Sequence, residues 1–185
     1  MQIIDKKTVW EGRFLRTLII SYKDRAGSVR EWEAVERVNC DGIVVVVPVT
    51  EQKEFLLIRQ FRPVLNGFVV EFPAGLNDKG ESLIDAARRE LIEETEYTAD
   101  EFVHLTDGPV SSGMSTEILS VFLALNSYPA SDAVKEQHPA DESESIEVIK
   151  TPLDKIYETL HARTKDGDHI DMKVYGLIEL AKKRL

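Results

Sequence analysis

Disulfide bonding is the first thing this sequence excludes. Its one cysteine, Cys40, has no intrachain partner, so the chain is expected to suit a reducing compartment. Positive charge is also scarce. Lysine and arginine number 23 against 33 aspartates and glutamates, a formal charge of −10 that argues against a nucleic-acid or anionic-membrane partner. An anionic substrate then needs a metal or local arginines. The apolar run over residues 43–49 is too short to cross a bilayer and contains Pro48. The N-terminus has no signal-peptide pattern, so a cytoplasmic location is expected. The four histidines lack metal-ligand spacing. There is no Walker loop, no Gly-x-Gly-x-x-Gly and no Gly-x-Ser-x-Gly. Neither repeats nor low-complexity segments occur. A hydrophobic content of 43% with 30% charged residues describes a soluble globular chain. Its 185 residues suffice for one domain with a sizeable core, with or without a small extension.

What is abundant is acid in one place. Residues 75–97 read GLNDKGESLIDAARRELIEETEY. A helix advances about 100° per residue, so Glu90, Glu93 and Glu94 share one face. Like charges at such spacings cost roughly 0.2–0.5 kcal/mol per pair, and a divalent cation would turn that penalty into a site. Mg²⁺ is hard, prefers oxygen, and commonly uses one or two carboxylates plus substrate phosphates. Ser82 is placed to cap the helix, with Asp85 as reciprocal partner. Leu83, Ala87 and Leu91, widened by Ile84 and Ile92, give a stripe for docking on a sheet. Arg88 and Arg89 are placed to orient or partly neutralise the acids. Residues 75–80 read as a tight loop into the helix. Taken alone, Glu-x-x-Glu-Glu is equally the solvated acidic face of an exposed helix.

The flanking chain reads as alternating strands and turns. Residues 8–10, 14–22 and 29–38 are expected strands, the last two around a turn at 23–27, forming a small antiparallel sheet. Trp32, Ala34 and Val38 share a face there, and Trp32 suits either sheet packing or an interface or nucleobase pocket. The run at 43–47 suits a strand buried on both faces. Strands are also expected at 55–58, 102–105 and 118–125, with loops at 107–117 and 126–140. Thr151-Pro152-Leu153-Asp154 reads as a helix start, and a last helix is expected over 170–183.

The stretch 75–97 resembles the Nudix box on Gly75, Glu81, Arg89, Glu90, Leu91, Glu93 and Glu94, with Tyr97 as its last apolar position. It departs at Glu96, where the family has a glycine able to adopt positive φ as the helix ends. Further segments are similar to the branch that hydrolyses ADP-ribose and other nucleoside diphosphate sugars. Gln60-Phe61-Arg62 resembles an element whose arginine contacts phosphate, a task suited to the planar guanidinium fork. Glu71-Phe72-Pro73-Ala74-Gly75 resembles an element in which the alanine carbonyl binds metal and the glutamate lies near base or ribose. The loop ending at Glu117 keeps a matching acid but has Ser112 in place of proline. Glu142-Ser143-Glu144-Ser145-Ile146 resembles an element supplying a general base and a metal ligand.

The resemblance implies a Nudix α/β/α sandwich with a mixed central sheet and an added N-terminal antiparallel sheet. Residues 1–40 would form a dimerising extension and residues 41–185 the hydrolase domain. It implies Mg²⁺- or Mn²⁺-dependent hydrolysis of the pyrophosphate bond of a nucleotide sugar such as ADP-ribose or GDP-mannose, by a homodimer. Ala74, Glu90, Glu94 and Glu144 would hold metal, and Glu142 or Glu93 would be the base. Arg62, Glu71, Glu117 and Trp32 would contact substrate. Nucleoside triphosphates, dinucleoside polyphosphates and a non-catalytic nucleotide-binding role are the alternatives. The Pro73-Ala74-Gly75 element and the N-terminal sheet disfavour the other substrates. Retention of Glu90, Glu93 and Glu94 disfavours the non-catalytic role.

Overall fold

The computed structural model describes residues 1–77, 80–140 and 145–185. Strands β1 (Gln2–Glu11), β2 (Leu15–Lys23) and β3 (Val29–Arg37) form the expected N-terminal antiparallel sheet. Its β2–β3 turn is set locally. Gly27 takes φ 81°, and Asp24 Oδ1 accepts the N–H groups of Ala26 and Ser28 at 2.9 and 3.0 Å.

The main sheet is mixed. Among the described residues it holds β4 (Gly42–Thr50), β5 (Glu54–Arg62), β6 (Gly67–Glu71), β7 (Ala74–Asn77), β8 (Tyr97–Thr98), β9 (Glu101–Pro109), β10 (Ile118–Pro129), β11 (Ile146–Pro152) and β12 (His169–Ile170). The helices are α1 (Leu83–Thr95), α2 (Asp132–Gln137), α3 (Ile156–Lys165) and α4 (Met172–Lys182). Strands β4 and β10 pair in parallel, whereas β5 pairs antiparallel with β6 and β11.

The two-residue period of a strand makes β4 the centre of a sandwich. Val44 and Val46 pack under α1 with Ala86, Ala87 and Leu91. Val45, Val47 and Val49 face the other way, into Ile156 and Leu160 of α3 and Val174 and Ile178 of α4. All are essentially inaccessible, and each buried valine or leucine contributes roughly 1.5–3 kcal/mol before ordering costs. This is the α/β/α architecture expected. Among the described residues no helix is long and apolar enough to cross a membrane.

Helix α1 begins as its sequence suggests. Ser82 Oγ accepts the Asp85 N–H at 3.2 Å and donates to Asp85 Oδ2 at 2.6 Å. It ends on Glu96, which adopts the left-handed conformation (φ 61°, ψ 18°) that glycine adopts at little cost. The Glu96 N–H donates to Ile92 O, and its carbonyl accepts from Ala130 N–H, both at 2.8 Å.

Several local expectations yield to pairing. Residues 75–77 belong to β7, opposite β4, rather than to a loop. Thr151 and Pro152 close β11 opposite Phe55 and Glu54, and α3 starts only at Ile156, without a side-chain cap. Buried Ile149 draws this segment into the ladder, and a strand end tolerates Pro152. Strand β9 runs on to Pro109, and β10 continues to Pro129, where Tyr128 pairs with Thr98 before α2 begins. Ile170 pairs with Val70 in β12, so the last helix starts at Met172, capped by Asp171.

The N-terminal sheet is fastened to the loop before β10. Val35 N–H donates to Met114 O at 2.8 Å, Thr116 N–H donates to Val35 O at 3.1 Å, and the Trp32 indole donates to Gly113 O at 2.9 Å.

Candidate active site

A cleft of about 550 Å³ opens between the acidic face of α1, the β6–β7 segment and the start of α4. Glu90 and Glu94 are each only 8% exposed. They are therefore not a solvated face, and a buried charge demands partners. Glu94 Oε2 accepts the Ala74 N–H at 2.9 Å. Arg89 serves the others: its Nη1 donates to Glu90 Oε1 at 2.6 Å and to Glu93 Oε2 at 2.9 Å. Its Nε donates to Glu81 Oε1 at 2.9 Å, and Nη2 to Leu76 O at 2.9 Å. Burial alone would lower the Arg89 pKa, but its bonds to Glu81 and Glu90 and the nearby charge of Glu93 outweigh it and raise it further. Arg88 has no part in this: it donates to Ala99 O and lies over the Phe102 ring.

With one guanidinium among four carboxylates, the site stays net negative. Its donors are hard oxygens on one helix face beside the Ala74–Gly75 backbone, the chemistry a divalent cation of the Mg²⁺ kind requires. Among the described residues, no three acidic, histidine or cysteine side chains converge closely enough to hold a metal ion by themselves. Further ligands would come from substrate oxygens, water or the adjoining chain. Glu142 and Glu144, expected as base and ligand, lie outside the described residues. Ala140 and Ile146, on either side of that segment, line a smaller cavity of about 340 Å³ together with Glu90, Glu93 and Glu94.

Arg62 and Glu71 meet on another wall of the cleft. Arg62 Nε and Nη2 lie 2.8 and 2.7 Å from Glu71 Oε1. Burial pushes the Glu71 pKa up; Arg62 opposes that shift and Asp171 adds to it. Glu117 also lines the cleft, accepting from Arg37 Nε at 2.7 Å. Arg59 is committed elsewhere, to Asp168 at 2.8 Å and to the face of Phe68. Trp32 does not line the cleft; it stays half-exposed on β3.

Three charged residues of the cleft were not singled out from sequence: Arg37, Asp171 and Lys173. Arg37 ends an alternating strand and is indistinguishable there from a solvated charge. Asp171 and Lys173 are far from the box in sequence, and only the pairing of β12 with β6 brings them beside Glu71.

Comparison with known proteins bears on the family and the fold. A model of the NUDIX domain matches residues 41–171. The ADP-ribose pyrophosphatase of Bacillus subtilis is 31% identical over 160 residues, covering 86% of this chain and 83% of that protein. The ADP-sugar pyrophosphatase of Mus musculus is 31% identical over 186 residues, covering 94% of this chain and 84% of that one. The crystal structure of an ADP compounds hydrolase superposes with a TM-score of 0.69 at 24% identity, over 85% of this chain and 82% of that one.

Proposed function

The chain belongs to the Nudix family, and on that premise we propose that it hydrolyses the pyrophosphate bond of a nucleoside diphosphate sugar of the ADP-ribose class. The carrying observation is the buried acidic face of α1, opening into one cleft with the Arg62–Glu71 pair. The two relatives' names support the substrate class, since each aligns over more than four-fifths of both chains.

In this reading Glu90, Glu94, Glu144 and the Ala74 carbonyl hold Mg²⁺ or Mn²⁺. Such a cation, when bound, neutralises the diphosphate and acidifies a water. Arg89 keeps Glu90 and Glu93 oriented. Glu142, or Glu93 on the helix, takes the proton from the attacking water. That water's oxygen bonds to one phosphorus as the bond to the bridging oxygen breaks. ADP-ribose thus yields AMP and ribose 5-phosphate. Arg62 steadies a phosphate, Glu71 and Glu117 meet the nucleoside, and Trp32 covers a base or an interface.

A homodimer in the cytoplasm completes the proposal. A three-stranded sheet is marginal alone, and this one exposes Ile3, Val9, Trp10 and Phe14, apolar side chains that a second copy would cover. Light scattering is expected to give twice 20.9 kDa at micromolar concentration; an active monomer would reject the dimer. The reaction is tested by a panel of ADP-ribose, GDP-mannose, UDP-glucose and dGTP with Mg²⁺. Nucleotide sugars are expected to be cleaved to two monophosphates far faster than dGTP is hydrolysed. Preference for dGTP would overturn the assignment.

A further inference from the structure

We propose that Asp171 and Lys173, at the start of α4, combine with Glu71 and Arg62 into a subsite for the vicinal hydroxyls of a sugar ring. The inference rests on the reaction class proposed above and specifies how its substrate is held.

The four side chains come from three elements and line one cleft. Strand β12 lies parallel to β6, with Ile170 opposite Val70, and the Asp171 N–H donates to Val70 O at 3.0 Å. Asp171 therefore stands beside Glu71. Its Oδ1 accepts the Lys173 backbone N–H at 2.8 Å, and its Oδ2 holds the Lys173 ammonium. Arg62 holds Glu71 Oε1 through Nε and Nη2. Glu71 feels both the Asp171 and the Lys173 charges, so the two ion pairs are neighbours.

The chemistry of this wall differs from that of α1. Around α1, three carboxylates share the Arg89 guanidinium and Glu94 adds a fourth negative charge, an environment for cations. Here two carboxylates meet two cations, with no net charge and with acceptors and donors interleaved. A phosphate seated between the two pairs would face the oxygens of Glu71 and Asp171, whereas one beside them can meet Arg62 through Nη1, since its contacts to Glu71 run through Nε and Nη2. A sugar hydroxyl both donates and accepts, and a carboxylate oxygen takes more than one hydrogen bond. Two adjacent hydroxyls can therefore join the pattern without breaking either pair. Lys173 also suits an adjustable contact, since its side chain is about one-third exposed and its flexible stem carries a rotatable ammonium. A nucleotide sugar has two such diols, one on the nucleoside ribose and one on the sugar.

The test uses the full chain and three ligands: ADP-ribose, its analogue with a 2′,3′-dideoxy nucleoside, and ADP esterified with a simple alkyl alcohol. Asp171→Asn and Lys173→Met both spare the helix start, because asparagine also caps and the cap accepts a backbone N–H. Each variant is expected to raise KM for ADP-ribose about tenfold, the scale of one or two hydrogen bonds, with kcat little changed. For one of the two analogues KM stays at the wild-type value, and that analogue tells which diol is read. Calorimetry with ADP-ribose and no metal should show the same weakening. Equal losses on all three ligands, or no loss on any, would overturn the subsite. Wild-type protein that binds ADP-ribose but cleaves none of the three would sink the reaction class, while the calorimetry still decides the subsite.

Discussion

The Glu90 carboxylate lies where a side chain on Gly75 would have to be. A Cβ at Gly75 would stand 1.9 Å from Glu90 Cδ and Oε1 and 2.3 Å from Oε2. Gly75 is not one of the positive-φ glycines; it sits in β7 opposite Val44. What fixes its identity is close approach, not backbone freedom. The box thus couples its first glycine directly to one of its acids.

Gly75→Ala is therefore expected to displace Glu90 while leaving the fold in place. Overpacking of this kind costs roughly 1–3 kcal/mol, read in a urea titration. The Mg²⁺ concentration for half-maximal activity should rise with it. An unchanged midpoint would mean that Glu90 has room to move without affecting the cation.

The left-handed Glu96 predicts a stabilising substitution. A non-glycine residue there carries roughly 1 kcal/mol of strain. Against this stands its ion pair with Lys135 at 2.8 Å, which is solvent-exposed and worth little. Glu96→Gly should raise the Tm by about 2–4 °C, the shift expected for 1 kcal/mol in a chain of this size. A lower Tm would show that the Lys135 contact outweighs the strain.

These cases show where the sequence was informative. The box, its cap and the two-faced strand β4 are local patterns, and they were legible because spacing alone sets which side chains share a face. The helix exit was left open by one departure in that pattern, Glu96 for glycine, and the structure gives it the left-handed conformation. The misassigned helix at Thr151-Pro152 had a sound local signal that was overridden by the ladder to β5 and the burial of Ile149. Arg37, Asp171 and Lys173 had no local signal, since their place in the cleft depends on β3 docking against the 113–116 loop and on β12 joining β6.

Glu71 should impose a pH dependence on stability. Its pKa is raised above the ordinary 4.5, first by burial and then by Asp171, against Arg62 and Lys173. The folded state then binds more protons than the unfolded state in the interval above pH 4.5, so stability falls as pH rises through it and levels off above the raised value. Glu71→Gln removes that slope. Urea midpoints from acid to neutral pH should show the variant gaining on wild type as pH rises; parallel curves would contradict the shift.

The last prediction separates proton transfer from metal holding. Glu90 and Glu94 are buried on α1, and Glu94 also receives the Ala74 N–H. Losing either charge should weaken the cation, so Glu90→Gln and Glu94→Gln are expected to move the Mg²⁺ midpoint upward and to recover activity at high Mg²⁺. A general base behaves otherwise: its loss slows turnover by roughly 10²–10⁴-fold and leaves the metal in place. Glu93 shares Arg89 with Glu90. That guanidinium holds the Glu93 carboxylate in one orientation, which suits electrostatic support better than proton exchange. Glu142→Gln is therefore expected to give the large rate loss at saturating Mg²⁺ with an unchanged midpoint, and Glu93→Gln a smaller one. Rates and Mg²⁺ titrations of the four variants, with circular dichroism to confirm folding, check this. A large loss confined to Glu93→Gln would place the base on the helix.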